Sequence, residues 1–281
     1  MTTTRSAERS AAPATRHRRA ASESPDGKQE QFMMDRVAIV TGGSRGIGRA
    51  IVDRLVRDDV RVITCSRSSR PRDLPSPVVW VRANVADTTD AEGVVSEALS
   101  SFGRLSLLVN NAGVQIEKPV ADSTDADWDR VIGVNCRGVF NMCRAALQPL
   151  TDAGGVIVNI GSISGVQADP GMALYNASKA FVHGLTRSIA IDHGPAVRCN
   201  AICPGWIVTG MADDAFALAK DPDAARLDAV RRHPSGRLGV PADIANLVSW
   251  LASEDAAFVN GACLTVDGGL TAASPLNPGL F

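Results

Sequence analysis

Short apolar runs alternate with amphipathic stretches along most of this chain, and the alternation constrains the fold more than any other feature of the sequence. Strands that alternate with helices form parallel sheets, because right-handed crossovers return the chain to the same edge. The sequence therefore predicts an α/β fold, a single doubly wound domain with a seven-stranded parallel sheet flanked by helices. The apolar runs are 37–40, 60–65, 78–81, 105–109, 156–160, 197–202 and 263–266. The predicted helices include 46–57, 88–101, 126–150, 176–192 and 241–252.

Residues 1–33 differ in composition from the remainder of the chain. They are rich in Ser, Thr, Ala, Arg and Glu and show no hydrophobic periodicity. Such a segment buries too little apolar surface to offset the entropy lost on ordering. We expect a disordered N-terminal extension over 1–33 and one folded domain over 34–281.

The composition argues against several classes of protein. A formal net charge of −1 at pH 7 gives no electrostatic reason to expect nucleic-acid or anionic-membrane binding. No apolar run approaches the about 20 residues that span a bilayer, and no secretory signal is evident, so a cytoplasmic protein is expected. The six cysteines are dispersed without metal-ligand spacing, which predicts reduced thiols and no metal site. His183, His193 and His233 are interpreted as structural or surface residues.

A glycine-rich turn follows the first predicted strand and leads into a helix. Glycines at such a turn let backbone N–H groups approach a pyrophosphate at the helix N-terminus, as in Rossmann-type domains. The pattern is Gly-x3-Gly-x-Gly, which differs from the Gly-x-Gly-x-x-Gly of many dinucleotide enzymes. The candidate cofactor-binding residues of this turn are Gly42, Ser44, Arg45, Gly46, Ile47 and Gly48.

A Tyr-Asn-Ala-Ser-Lys segment gives the most specific chemical signal. Tyr175 is the only tyrosine of the chain, and Lys179 follows four residues later. Residues i and i+4 share one helix face, so the ammonium is expected close to the phenol. A nearby cation usually lowers the pKa of an acidic group by about 1 to 3, from a phenol value near 10. We therefore expect Lys179 to lower the pKa of Tyr175 and make the phenol a general acid and base.

The glycine spacing and the Tyr-x-x-x-Lys motif resemble the short-chain dehydrogenase/reductase family, in particular its NADP-preferring members similar to 3-oxoacyl-carrier-protein reductases. The resemblance extends over roughly residues 34–270 in motif order. It implies that Ser162 binds the substrate carbonyl and that Asn135 holds a water in a proton relay to the lysine. Ser164 is a weaker candidate for the serine. The implied catalytic set is Asn135, Ser162, Tyr175 and Lys179.

The same resemblance implies further contacts to a nicotinamide cofactor. Lys179 would bind the nicotinamide ribose, and the backbone of Ile207 and the hydroxyl of Thr209 would contact the carboxamide. Asn84 and Val85 stand where many family members have an Asp-Val pair beside adenine, and an amide can still pair with the adenine edge. The remaining implied cofactor-binding residues are Asn111, Gly113, Pro204 and Gly205.

The end of the second predicted strand indicates which cofactor is used. NAD enzymes tend to carry an acidic residue there, whereas this chain has Cys65-Ser66-Arg67. A guanidinium binds a phosphate bidentately, and Arg45 can approach the same 2′-phosphate. The sequence therefore favours NADP over NAD, with Arg70 and Arg72 adding to the positive field.

The segment that follows Arg67 departs from the family. Family members usually have a crossover helix here, but Pro71, Pro75 and Pro77 remove helical hydrogen-bond donors. We predict that this helix is missing or reduced to a turn.

These observations together predict an oxidoreductase that interconverts a secondary alcohol and a ketone by hydride transfer with NADP(H). The mostly apolar segments 165–172 and 206–218 favour a small, weakly polar substrate. A non-catalytic NADP sensor, an NAD-dependent dehydrogenase and an epimerase or dehydratase are the alternatives. The Tyr–Lys pair argues against the sensor, and the glycine spacing argues against the epimerase. The resemblance implies a homo-oligomer, a tetramer, assembled through 126–150, 176–192 and 264–270.

Overall fold

The computed structural model describes residues 1–2 and 36–272. The expected disordered extension over 1–33 therefore lies, apart from Met1 and Thr2, outside the described residues. The last nine residues of the predicted domain lie outside them as well.

Seven strands form one parallel sheet in the order β3-β2-β1-β4-β5-β6-β7. The order reverses between β1 and β4, and a crevice opens at the carboxyl ends of strands at such a point. The predicted seven-stranded, doubly wound parallel sheet is confirmed. The strands are β1 (Val37–Thr41), β2 (Arg61–Ser66), β3 (Val79–Arg82), β4 (Leu107–Asn110), β5 (Val156–Ile160), β6 (Arg198–Pro204) and β7 (Cys263–Val266).

Helices cover both faces of the sheet. Among the described residues, none of these helices is both long enough and apolar enough to pass through a bilayer. The helices are α1 (Gly46–Arg57), α2 (Thr88–Phe102), α3 (Asp125–Ile132), α4 (Val139–Ala153), α5 (Ala173–His193), α6 (Gly210–Ala217), α7 (Pro222–Arg232) and α8 (Pro241–Leu251).

The predicted single helix over 126–150 is interrupted. A π-helical segment, Gly133–Gly138, joins α3 to α4. A π turn adds about one residue to the helical repeat, and so small a change is not visible in the apolar spacing. The helices α6 and α7 were not among the predicted ones.

Alternate residues of the central strands enter two separate cores. Ile39 and Ile157 pack toward α2, α4 and α5, whereas Val40 and Val158 pack toward α1 and α8. All five residues of β1 and of β5 are buried, because helices cover both faces. The two cores hold the sheet rigid, and only its edges reach solvent.

The connection from β2 to β3 contains turns and no helix, as its prolines predict. The Arg70 guanidinium donates hydrogen bonds to the carbonyl oxygens of Val78 at 2.7 Å and Pro75 at 3.0 Å. Arg70 therefore closes this connection, and because its partners are neutral carbonyl groups its charge is retained. The expectation that Arg70 adds to the positive field around Arg67 stays a prediction.

Candidate active site

A cleft of about 350 Å³ opens at the carboxyl ends of the strands. Its walls are formed by the loops after β1, β2, β3, β4, β5 and β6 together with the start of α5. All of the predicted site residues line this cleft except Asn135. Those that line it are Gly42, Ser44, Arg45, Gly46, Ile47, Gly48, Arg67, Asn84, Val85, Asn111, Gly113, Ser162, Tyr175, Lys179, Pro204, Gly205, Ile207 and Thr209.

The glycine turn after β1 owes its shape to backbone conformations that need glycine. Gly42 has φ +71° and Gly46 has φ +57°, in the left-handed region that other residues rarely adopt. A Cβ on Gly48 would collide with the carbonyl oxygen of Gly42. Asn111 holds the turn from the neighbouring strand, since its side-chain amide donates to the carbonyl oxygens of Thr41 at 2.9 Å and Gly42 at 3.2 Å. The turn is thus fixed before any ligand arrives.

Two arginines line the cleft near the ends of β1 and β2. Arg45 precedes α1 and Arg67 follows β2, and both side chains are exposed. Among the described residues that line the cleft, Asp169 is the acidic one, and it lies beside Ser164. Asn84 is exposed with its side-chain oxygen accepting from the Ala86 N–H at 3.3 Å. This end of the cleft is accordingly positive and open to solvent.

A chain of hydrogen bonds leads from Ser162 to an acid that the sequence reasoning missed. Ser162 Oγ donates to Ser164 Oγ at 3.1 Å, and Ser164 Oγ donates to the Asp169 carboxylate at 2.8 Å. The backbone N–H of Ser164 also donates to Ser162 Oγ at 3.1 Å. Ser164 therefore supports Ser162, and does not replace it as the serine that faces Tyr175. One signal was available, because Asp169 is the only acid between Ser162 and Tyr175.

Tyr175 and Lys179 lie on one face of α5, and both are buried. Lys179 Nζ lies 5.5 Å from the centroid of the Tyr175 ring and donates a 2.9 Å hydrogen bond to the carbonyl oxygen of Ile160. Burial lowers the pKa of Lys179 to about 8. The two side chains are thus close together, as the i and i+4 spacing predicts.

The pKa of Tyr175 differs from the expectation. Burial raises it to about 12, the hydrogen bond with Ser162 opposes that rise, and the charge of Asp169 adds to it. The prediction that Lys179 lowers this pKa is wrong for the protein alone, because the ammonium faces the ring and binds a carbonyl, while desolvation disfavours the phenolate.

Asn135 lies in the π-helical segment and is buried behind the cleft. Its amide nitrogen donates to the Val114 carbonyl oxygen at 2.8 Å and to Ser178 Oγ at 2.9 Å, and its oxygen accepts from the Val114 N–H at 2.9 Å. Both amide hydrogens are committed to the protein. The Asn135 side chain thus fixes Val114, a cleft residue, against α5, and the water-holding role implied by the resemblance stays a prediction.

The segment after β6 forms the remaining wall. A Cβ on Gly205 would lie 2.7 Å from Cβ of Asp267, so only glycine fits there. Thr209 Oγ1 donates to the Ile207 carbonyl oxygen at 3.2 Å and accepts from the Ala212 N–H at the start of α6. Trp206 stacks on Phe216 with ring centroids 4.8 Å apart. This wall combines a fixed backbone with an apolar surface.

Comparisons with known proteins agree with this geometry. Residues 42–271 match the family described as enoyl-(acyl carrier protein) reductase. The chain is 40% identical over 253 residues to 2-(R)-hydroxypropyl-CoM dehydrogenase of Xanthobacter autotrophicus, covering 85% of this chain and 100% of the relative. It is 35% identical over 245 residues to 3-oxoacyl-[acyl-carrier-protein] reductase of Thermotoga maritima, covering 84% and 97%. Its structure resembles ligand-free aldohexose dehydrogenase of Thermoplasma acidophilum, with TM-score 0.83, 33% identity and 87% and 97% coverage.

Proposed function

Because the chain belongs to the short-chain dehydrogenase/reductase family, we propose that it interconverts a secondary alcohol and a ketone with NADP(H). One observation carries the proposal: Ser162, Tyr175 and Lys179 meet in the same cleft as the glycine turn. A proton donor therefore stands beside a dinucleotide-binding loop. This combination is what a carbonyl reductase requires.

The residues present fit a nicotinamide dinucleotide. The glycine turn directs backbone N–H groups of α1 toward the cleft, where a pyrophosphate would bind. Gly113 lies beside Lys179, since a Cβ on this glycine would be in van der Waals contact with Nζ at 3.8 Å, and a ribose at this point of the cleft would reach the ammonium. Ile207 and Thr209 would hold the carboxamide. When bound, the cofactor supplies or accepts the hydride.

Tyr175 acts as the proton donor in the direction of reduction. With a pKa raised to about 12, the phenol is neutral at pH 7 and can protonate the more basic alkoxide oxygen as it forms. Ser162 donates to the same oxygen after its hydroxyl turns away from Ser164. Oxidation needs the phenolate, which burial disfavours. The ligand-free site is therefore better prepared for reduction near neutral pH.

NADP is the preferred cofactor in this proposal. Arg45 and Arg67 line the end of the cleft where the adenosine ribose would lie. Among the described residues that line this end, none offers a carboxylate to bind a free 2′-hydroxyl. A guanidinium pair suits a 2′-phosphate. An NAD-dependent dehydrogenase is the alternative. A comparison of kcat/KM with the two cofactors distinguishes the two possibilities.

The substrate is proposed to be a small, weakly polar ketone or secondary alcohol. Met172, Trp206 and Met211 supply apolar surface to the cleft. Asp169 adds a negative charge close to Ser162 and Tyr175, and it would repel a substrate with an anionic group near the reacting carbon.

The proposal is tested by following the absorbance band of the reduced nicotinamide during incubation with a panel of ketones and alcohols. Each compound is assayed with NADP(H) and with NAD(H). Wild type should turn over at least one pair, with NADP(H) preferred. Tyr175→Phe should lose about 100- to 10,000-fold in kcat while retaining NADP affinity, and His193→Asn should match wild type. NADP binding without turnover of any pair would instead support a sensor.

A further inference from the structure

Three side chains that the proposed reaction does not use meet next to the active site. They are His183 from α5, Cys203 from β6 and Cys263 from β7, and their ligand atoms all lie within 4.8 Å of one another. His183 Nε2 is 3.1 Å from Cys203 Sγ. The cysteines are 60 residues apart in sequence. The spacing of the cysteines along the sequence therefore did not indicate that this pair meets in the fold.

The sheet and one helix bring the three groups together. Cys263 is the parallel partner of Ala201, and Cys203 lies two residues further along β6, so both thiols point to the same face. Gly161 makes room for the imidazole, because a Cβ there would lie 2.5 Å from His183 Nε2. His183 and Cys203 are buried, and Cys263 is half-buried. Cys263 thus gives the cluster a route to solvent.

We propose that His183, Cys203 and Cys263 bind a thiophilic divalent cation of the Zn²⁺ type. Tetrahedral Zn²⁺ geometry places two thiolate sulfurs about 3.8 Å apart and a sulfur and an imidazole nitrogen about 3.6 Å apart. The present separations, 3.1 Å for one pair and at most 4.8 Å for the others, need shifts of about 1 Å or less. Imidazole and thiolate ligands select such cations over Mg²⁺ and Ca²⁺. Three protein ligands leave a fourth position for water.

The charges around the cluster are compatible with a bound dication. Both thiols would release their protons to solvent, so two thiolates balance the 2+ charge. Arg187 Nη1 lies 3.8 Å from Cys263 Sγ. Lys179 interacts electrostatically with Cys203. Because the two thiolates neutralise the metal ion, Arg187 and Lys179 would face a site without net charge and would not be repelled by it.

The position of the site connects it to the catalytic loop, a step that rests on the proposed function. The His183 ring packs against both Gly161 and Gly165, and these glycines bracket Ser162. Movement of the imidazole onto a metal ion would shift this loop. Occupancy of the site is therefore expected to slow turnover.

Cadmium is a suitable probe, because its thiolate complexes absorb in the ultraviolet. The protein is first reduced until all six thiols titrate, and the reductant is then removed under argon. It should bind one Cd²⁺ per chain in equilibrium dialysis. Binding should produce a thiolate-to-cadmium charge-transfer band in the ultraviolet. Cys263→Ser should weaken binding at least about 10-fold and diminish the band. Cys136→Ser, a thiol outside the cluster, should behave as wild type. His183→Asn should also weaken binding, with His193→Asn as its control and circular dichroism to confirm folding.

The proposal is overturned if wild type shows no saturable band, or if Cys263→Ser binds Cd²⁺ as tightly as wild type. These measurements do not use turnover, so they stand whether or not a substrate is found. Stoichiometric binding that leaves the reductase rate unchanged would overturn the coupling to the catalytic loop.

Discussion

The Asp169 carboxylate accepts a 2.8 Å hydrogen bond from the Ser164 hydroxyl, and this contact fixes a negative charge close to the buried phenol of Tyr175. The charge contributes to the raised pKa of that phenol. Asp169 therefore acts on the Tyr175 phenol through space, and Ser164 links Asp169 to Ser162 by hydrogen bonds.

Replacement of Asp169 should lower the pKa of Tyr175. In Asp169→Asn the amide oxygen can still accept from Ser164, but the charge is gone. Tyr175 is the only tyrosine, so the near-ultraviolet phenolate band reports its ionisation directly. The folded wild type should titrate near pH 12, and the variant at lower pH. The exposed acid Asp192 provides the control Asp192→Asn. Equal titration midpoints of Tyr175 in wild type, Asp169→Asn and Asp192→Asn would contradict the expectation.

The same variant should shift the pH dependence of alcohol oxidation. Oxidation uses the phenolate, so its kcat/KM should rise with pH up to the pKa of Tyr175. Because Asp169 raises that pKa, the rising limb should move to lower pH in Asp169→Asn. Reduction uses the neutral phenol and should lose activity at a lower pH in the variant. A profile that moves to higher pH would exclude this role.

Arg67 should govern the choice of cofactor. Arg67→Ala loses a charge-assisted contact of about 1.5 to 3 kcal/mol, so the NADP/NAD ratio of kcat/KM should fall about 10- to 100-fold. Arg45 can mask part of the loss, and the double variant should show all of it. Arg72, also exposed in this connection, provides the control Arg72→Ala. Equal losses with both cofactors would make these arginines ordinary surface charges.

Asn135→Ala should reduce stability together with activity. The substitution leaves the half-buried Val114 N–H without its acceptor, and such a loss costs up to about 1 to 3 kcal/mol, the value for a fully buried group. The free energy of unfolding, measured in denaturant, should fall by that amount, and the KM for cofactor should rise because Val114 lines the cleft. Unchanged stability with a selective loss of kcat would instead support the water-relay role.

The protein should assemble as a homo-oligomer, and the family resemblance suggests a tetramer. Exposed aromatic side chains on successive helices, Trp128, Phe140 and Phe181, give these helices apolar surface to bury. Phe181→Glu should shift the assembly toward smaller species in light scattering, and Lys220→Glu should not. A monomeric wild type at micromolar concentration would refute the expectation.

The sequence predicted the strands well because helices cover both faces of the sheet. Strands such as β1 and β5 are then buried on both faces and consist mostly of apolar residues, which makes short runs easy to recognise. The residues of the cleft could also be predicted from the sequence, since loops at the carboxyl ends of parallel strands meet at one edge of the sheet.

Features that depend on side-chain orientation were not predictable in the same way. The spacing of Tyr175 and Lys179 indicates proximity, but not that the ammonium binds the Ile160 carbonyl or that burial dominates the phenol pKa. Asn135 was identified as a site residue, yet its partners depend on a π turn that periodicity does not show. The contacts of Asp169 and Cys263 depend on chain segments distant in sequence.

The turn between β2 and β3 has a consequence for how the cofactor preference can evolve. Arg67 begins a connection in which Leu74 and Val78 reach the core, while Arg67 itself is exposed. A substitution at Arg67 is therefore expected to change folding stability little. If the proposed function holds, the preference between NADP and NAD can change through this one exposed position while the sheet and Tyr175 stay the same.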